Sequence, residues 1–423
     1  MSIGPREITP VERIDANLKV PGSKSQTARA LVCAVLADGE CVIRDPLRSD
    51  DTEVMCQALR SLGYEIRAEG DTLRVQGKGG AIPAAEAKID ARDAGTAMRF
   101  LTALLTLGWG RYEIDGSERM RQRPIGDLVQ ALAYLGGGAT TLGDEGFPPV
   151  VIEGAGLRGG TTSLKGGTSS QFLSALLLVA PYAENSVEIE VSDDLVSRKY
   201  VDLTLGVMAD FGVIFERDGY RRFHIPPGRR YRPTDLTIEG DASSASYFFA
   251  AAAVTGGRVR VENLDYKTRQ GDVEFVDILA RMGCRVETGE GWTEVSGGDL
   301  QGVEADLRDL PDVAQTLAVT SLFARGKTTI QNIDHLKTKE TDRIEALTKE
   351  LRKVGAGIRT RGSALEIQPR KIRSAEIETY GDHRMAMSFA LLGLRVPGIR
   401  IRDPGVVSKS FPDFFDHLEK LGQ

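Results

Sequence analysis

Apolar positions in this chain fall into two alternating kinds of block. The first is a nearly unbroken apolar run, such as Ala30-Leu31-Val32-Cys33-Ala34-Val35-Leu36, closed by Asp38-Gly39. A run of that length, bounded by a glycine, predicts an apolar helix. A short strand-like run, Ala16 to Val20, precedes it, and Pro21-Gly22-Ser23-Lys24-Ser25 leads into it. The same entry recurs at Asp93-Ala94-Gly95-Thr96, Gly166-Gly167-Thr168-Ser169-Ser170-Gln171, Glu239-Gly240-Asp241, Leu310-Pro311-Asp312 and Tyr380-Gly381-Asp382. From Gly22 through Gly95, Gly167, Gly240, Pro311 and Gly381 the steps are 73, 72, 73, 71 and 70 residues. The second block has a narrower apolar stripe and ends in a glycine, as in Leu59-Arg60-Ser61-Leu62-Gly63 and Leu351-Arg352-Lys353-Val354-Gly355. Glycine just past an apolar stripe marks a helix C-terminus. Short alternating runs such as Tyr64-Glu65-Ile66-Arg67 follow and predict strands. The unit is therefore strands plus two helices, six times over, which is too long for an ordinary solenoid repeat. The fold class expected is α/β, with two similar domains of three repeated α/β units each.

Three units on either side put the boundary at the fourth. The expected domains are 21–239 and 1–20 plus 240–423, with crossovers near 20 and 240. The run Ile8 to Val20 would then pair back with the second half. A length of 423 residues is itself too great for one core.

The helix entries carry chemistry. Gly22 allows a tight turn, Ser23 or Ser25 can cap the helix, and Lys24 and Arg29 add charge to its N-terminus. Free N–H groups and positive charge at a helix start make an anion site. A P-loop is excluded, because Ser23 separates Gly22 from Lys24 and position 17 is Asn17. Taken alone, a capped helix with a solvated lysine accounts for this stretch as well. The recurrence of basic helix starts, with Arg99, Arg343 and Arg384, favours the anion site.

Composition narrows the partners. The net charge of −6 argues against nucleic acid, while locally basic helix starts in an acidic chain favour small anionic ligands. Met1 to Val11 lacks the apolar core of a secretory leader, and no apolar run reaches spanning length, so no membrane is expected. Cys33, Cys41, Cys56 and Cys284 have no metal or disulfide-framework spacing, and His224, His335, His383 and His417 show no ligand pattern. The expectation is a cytoplasmic protein with no metal and no cofactor.

Three local stretches complete the picture. Pro124 after Arg119-Met120-Arg121-Gln122-Arg123 predicts a helix with Pro124 at its first position and Arg123 at its N-cap. Lys339 and Arg343 stand four apart and are expected on one helix face. Ser408-Lys409-Ser410-Phe411-Pro412-Asp413 is expected to open the last helix.

These motifs, in this order, resemble the 5-enolpyruvylshikimate-3-phosphate synthases, the enolpyruvyl transferases of the shikimate pathway. The resemblance spans nearly the whole chain and rests on Pro21-Gly22-Ser23-Lys24-Ser25 with Arg29, Ala94-Gly95-Thr96-Ala97-Met98-Arg99, Arg123-Pro124-Ile125, Ser169-Ser170-Gln171, Pro311-Asp312, Lys339-Glu340-Thr341-Asp342-Arg343, Asp382-His383-Arg384-Met385-Ala386, and Lys409 before Phe411-Pro412-Asp413. It implies an inside-out α/β barrel in each domain and helix N-termini facing a cleft that closes on substrate. It implies transfer of enolpyruvyl from phosphoenolpyruvate to the 5-hydroxyl of shikimate 3-phosphate, inhibition by glyphosate, and a monomer. It also implies roles. Lys24, Ser25, Arg29, Ser169, Ser170, Gln171, Ser197, Tyr200, Asp312, His335 and Lys339 would hold shikimate 3-phosphate. Lys24, Gly95, Arg123, Gln171, Glu340, Arg343, Arg384 and Lys409 would surround phosphoenolpyruvate. Asp312 would accept the hydroxyl proton, with Glu340 and Lys24 as the other catalytic groups.

Two departures stand out: Asp93 replaces the usual Asn before the Gly-Thr motif, and His335 stands where many relatives have a substrate-contacting Asn. The nearest rival is the sister transferase acting on UDP-N-acetylglucosamine, whose loop carries a Cys just before the Arg-Pro pair; Ser117 to Gln122 contains none. A non-catalytic anion-binding protein of the same fold is the other alternative, and Asp312 and Glu340 among the cations argue against it.

Overall fold

The structure is a computed structural model that describes residues 4–422. The chain divides into two compact units, Gly22–Ile238 and Met1–Pro21 with Glu239–Gln423, called below the first and the second unit. The helices are α1 (Lys24–Leu36), α2 (Asp50–Ser61), α3 (Gly95–Leu105), α4 (Gly126–Tyr134), α5 (Ser170–Val179) and α6 (Arg198–Asp210) in the first unit, and α7 (Ala242–Thr255), α8 (Phe275–Met282), α9 (Ala314–Thr320), α10 (Arg343–Lys353), α11 (His383–Gly393) and α12 (Phe414–Lys420) in the second.

The odd-numbered helices are the nearly unbroken apolar runs. Every residue of α7 and α11 is buried, and nine of the ten residues of α5. In each unit the three apolar helices pack against one another, α1 with α3 and α5, α7 with α9 and α11. A helix apolar on all sides has to sit inside, so the sheets are left outside. Each even-numbered helix buries one stripe only. In α10 the buried positions are Arg343, Ala346, Leu347, Glu350 and Leu351, the spacing of a single helix face.

Among the described residues, five four-stranded sheets share one plan. In Glu86–Asp90, Trp109–Asp115, Val150–Ala155 and Gly138–Thr141, the first pair is parallel and the next two are antiparallel. The sheet around Arg258–Val261 and the sheet around Thr328–Gln331 follow it. Two strands are exchanged in sequence. Asp15–Leu18, which leads into α1, pairs with Arg258–Val261 in the second unit, while Asp235–Thr237, which leads into α7, pairs with Glu40–Arg44 in the first. The sixth sheet has three strands, and Arg6–Glu7 supplies its antiparallel member against Arg400–Ile401. The chain passes from one unit to the other after Pro21 and again after Ile238.

Three local expectations are corrected. Pro124 is not the first residue of α4, which begins at Gly126 with Ile125 as its cap. The Ile125 and Gly126 N–H groups both donate to the Gly146 carbonyl, which delays the helix, and Arg123 closes a 3-10 turn by donating to Met120. Lys339 and Arg343 do not share a helix face: Lys339 is extended after the turn Asp334–Thr338, and Asp342 caps α10 by accepting from Ile344 and Glu345. Lys409 does not open α12; it ends the turn Pro404–Lys409, and α12 begins at Phe414.

Candidate active site

In the first unit, the start of α1 is built as a cationic end. Ser23 caps the helix by accepting from the Gln26 N–H. Lys24 reaches Asp51 at the start of α2, with Nζ 3.0 Å from Oδ2. Arg29, one turn further, is 2 % exposed. Its Nε donates to Thr204 Oγ1 at 2.7 Å, Nη1 to the Ser25 carbonyl at 2.9 Å, and Nη2 to Ser174 Oγ at 3.3 Å and the Tyr200 carbonyl at 3.1 Å. Its guanidinium also lies 5.3 Å from the Phe100 ring centroid. All of these partners are neutral. Burial pushes the Arg29 pKa down to about 10, because a buried cation without a counterion is costly.

The other helix starts of this unit converge chemically. Ser169 caps α5 by accepting from Gln171 N–H, and the Gln171 amide donates to Thr96 Oγ1 at 3.1 Å, joining the starts of α5 and α3. Ser170 is buried at the first position of α5. Ser197 caps α6 in the left-handed region, φ +56°, and its carbonyl accepts from Tyr200 N–H. Gly95 opens α3, and a Cβ built on it would stand 2.7 Å from Arg123 Nη2 and 2.8 Å from Nη1. The absent side chain is thus what lets the Arg123 guanidinium lie against the helix start. Arg99 braces the same corner, donating to the Gly95 carbonyl at 3.3 Å and the Pro124 carbonyl at 2.8 Å. Asp93, the departure noted above, accepts the Ser117 hydroxyl.

In the second unit, carboxylates and guanidiniums interlock. Asp312 lies in the turn Pro311–Val313 ahead of α9. Its Oδ1 accepts from Arg343 Nη1 at 3.0 Å and its Oδ2 from Arg384 Nη2 at 2.7 Å. Arg343, the first residue of α10 and 1 % exposed, also holds Asp382 at 2.7 Å and Glu340 at 2.9 Å. Burial alone would lower the Arg343 pKa; the charges of Asp382, Glu340 and Asp312 outweigh it and raise the pKa above its usual value. Asp382 is fully buried and caps α11 by accepting from the Arg384 N–H, so one carboxylate fixes both arginines. Arg384 completes its set with Tyr247 Oη at 3.2 Å. Lys409 is buried at the end of its turn.

His335 is 6 % exposed, and burial together with the Lys339 charge pushes its pKa down to about 3. The imidazole is therefore neutral near neutrality, which suits a hydrogen-bonding group and not a cation. Asp272 accepts the Ser243 hydroxyl at the start of α7. Burial and the neighbouring Asp312 charge push its pKa up to about 7. Asp382, Tyr247 and Asp272 were missed in the sequence. Asp382 carried a signal in its cap position before α11, and Tyr247 in its place on the helix opened by Glu239-Gly240-Asp241, seven residues after the glycine as Arg29 is after Gly22; Asp272 carried none.

A half-buried carboxylate between two buried arginines, each at a helix start, is suited to proton transfer beside an anionic ligand. That defines an α/β enzyme working on anionic substrates. The model of the EPSP synthase family (3-phosphoshikimate 1-carboxyvinyltransferase) matches residues 8–418. The chain is 46% identical over 411 residues to the 3-phosphoshikimate 1-carboxyvinyltransferase of Trichormus variabilis, covering 96% of each chain. It is 48% identical over 419 residues to that of Cupriavidus necator, again covering 96% of each. An EPSP synthase structure from Acinetobacter baumannii superposes with a TM-score of 0.84 at 25% identity, covering 99% of this chain and 98% of that one. The chain belongs to the EPSP synthase family, and its fold is the family's, two inside-out α/β domains of three repeated units each.

Proposed function

We infer that this protein transfers the enolpyruvyl group of phosphoenolpyruvate to the 5-hydroxyl of shikimate 3-phosphate and releases phosphate, within aromatic biosynthesis. The observation that carries this is the family match over residues 8–418. In the reaction the hydroxyl loses a proton and attacks C2 while C3 gains one. The tetrahedral adduct then expels phosphate and returns a C3 proton. Proton transfers and charge stabilisation account for every step, so the protein is proposed to act without metal or cofactor.

Roles follow residue by residue. In the first unit, Lys24, Ser25, Arg29, Ser169, Ser170, Gln171, Ser197 and Tyr200 are assigned to shikimate 3-phosphate, and Lys24, Gly95, Arg123 and Gln171 to phosphoenolpyruvate. In the second, Asp312, His335 and Lys339 are assigned to shikimate 3-phosphate, and Glu340, Arg343, Arg384 and Lys409 to phosphoenolpyruvate. Asp312 accepts the hydroxyl proton; Glu340 and Lys24 serve the protons at C3. The neutral partners of Arg29 and the two arginines on Asp312 support these assignments. Segments 21–239 and 1–20 plus 240–423 are proposed as the functional domains. The protein is further proposed to be a glyphosate-inhibited monomer of the cytoplasm. No helix among the described residues is long and apolar enough to cross a membrane.

The test is phosphate release from purified protein treated with EDTA, with shikimate 3-phosphate or UDP-N-acetylglucosamine as acceptor. Release is expected only with phosphoenolpyruvate and shikimate 3-phosphate together. Activity on the nucleotide sugar, or none on either, sinks the assignment; loss with EDTA sinks the metal-free part.

A further inference from the structure

Helix α10 touches the segment before α11 at two places. At its first residue, Arg343 holds Asp382 and Asp312. Seven residues on, Glu350 lies on the same face, since seven residues are close to two helical turns. Glu350 is 1 % exposed. Its Oε1 accepts from Tyr380 Oη at 2.8 Å, and its Oε2 accepts from the Glu378 N–H at 3.1 Å and from Lys353 Nζ at 2.5 Å. Lys353 in turn donates to the Glu376 carbonyl at 3.1 Å.

What Glu350 grips is an unusual turn. Tyr380 has φ +54° and Gly381 has φ +67°, two left-handed residues in succession immediately before Asp382. A tyrosine in that region is held there by its surroundings and not by preference. Asp382 then donates its N–H to the Thr379 carbonyl and caps α11, which presents Arg384 as its second residue. The bend at 380–381 therefore sets the aim of Arg384 relative to Arg343.

We propose that Glu350 is a positioning residue for the anion clamp, locking the Tyr380–Gly381 bend to α10 so that Arg343 and Arg384 stay at the spacing that takes phosphoenolpyruvate. The inference rests on the assignment of those two arginines to phosphoenolpyruvate. It is distinct from a role in fold stability, because the grip acts on the orientation of one helix start.

Steady-state kinetics of the full chain test it, with KM measured for each substrate and Tm measured for each variant. Glu350→Ala is expected to raise KM for phosphoenolpyruvate roughly tenfold or more, as misplaced binding groups do, with KM for shikimate 3-phosphate within about twofold. Tyr380→Phe, which removes a single hydroxyl, is expected to raise it about threefold, and the double variant to add nothing beyond Glu350→Ala. Should Glu350→Ala fail to fold, Tyr380→Phe decides. An unchanged phosphoenolpyruvate KM in a folded variant, or an equal loss for both substrates, overturns the inference. Arg343→Lys separates the premise: an unchanged KM there overturns the arginine assignment, whereas a raised one beside an unaffected Tyr380→Phe overturns the role of Glu350 alone.

Discussion

Arg29 in the first unit and Arg343 in the second are both buried guanidiniums near a helix start, yet their surroundings are opposite. Arg29 is held by hydroxyls, carbonyls and a ring face, and its pKa falls to about 10 as burial dictates. Arg343 is wrapped by Asp382, Asp312 and Glu340, and its pKa rises. The first arrangement leaves the counter-charge to be supplied by a ligand. The second supplies it from within, so an anion arriving at Arg343 or Arg384 competes with Asp312. Under the proposed assignment, the same competition would release Asp312 to act as a base once the arginines have another partner.

The sharpest way to break this comparison is Asp312→Asn. Turnover is expected to fall about 10²–10⁴-fold, since the amide keeps the shape and loses the base. The affinity for phosphoenolpyruvate should hold or tighten, because the internal competitor is gone. Near-normal turnover would move the base to Glu340 or Lys24, and a large loss of affinity would mean that Asp312 does not compete.

Removing each arginine probes the other half of the contrast. Arg343→Met takes one guanidinium away from Asp382, Glu340 and Asp312, of which Asp312 keeps Arg384, and should cost about 3–5 kcal/mol of stability. Arg29→Met leaves only neutral groups, and the ligand-free protein should lose far less. Urea unfolding of the two variants side by side would show it; equal losses would refute the distinction.

A smaller effect is expected at Gly95. The added methyl of Gly95→Ala meets the Arg123 guanidinium at 2.7–2.9 Å, so the far end of that flexible side chain has to move aside. Because Arg123 is assigned to phosphoenolpyruvate, its KM should rise somewhat. Glyphosate, the longer ligand, should be excluded more strongly. Inhibition constants measured against phosphoenolpyruvate check this, and an unchanged ratio of the two affinities would count against it.

The weakest predicted signal is in pH. His335 falls from an ordinary 6.5 to about 3 on folding. Between those values the unfolded chain binds the extra proton, so this group makes stability rise with pH. Asp272 rises from 3.8 to about 7. There the folded chain binds the extra proton, and stability falls as pH increases. Both groups belong to the second unit. His335→Asn should flatten the acid side of a Tm-against-pH curve, and Asp272→Asn the opposite slope. Curves that do not move would remove these two groups as the source.

The repeat was legible because each unit has to bury one all-apolar helix and one striped helix, and those patterns recur in the chain itself. Gly63 and Gly355, read as helix ends, both adopt positive φ. The start of α4 was misread because the Gly146 carbonyl, distant from the motif, takes the Ile125 and Gly126 N–H groups, and that of α10 because Asp342 caps the helix only after an extended Lys339. The arginines were visible as cations at helix starts, but their partners were not, since Arg343 and Asp382 are separated by a whole hairpin.

By itself, the sequence determined the six-fold unit, the cationic helix starts and the family, because periodicity, caps and motifs are local properties of a chain. Only the tertiary structure decided the pairing register, with Asp15–Leu18 against Arg258–Val261 and Asp235–Thr237 against Glu40–Arg44. It alone surrounded Arg29 with neutral groups and Arg343 with carboxylates, and it alone made Glu350 the brace of a left-handed turn. The physical reason is that ion pairing and desolvation depend on distances in space, and residues far apart in the chain set them.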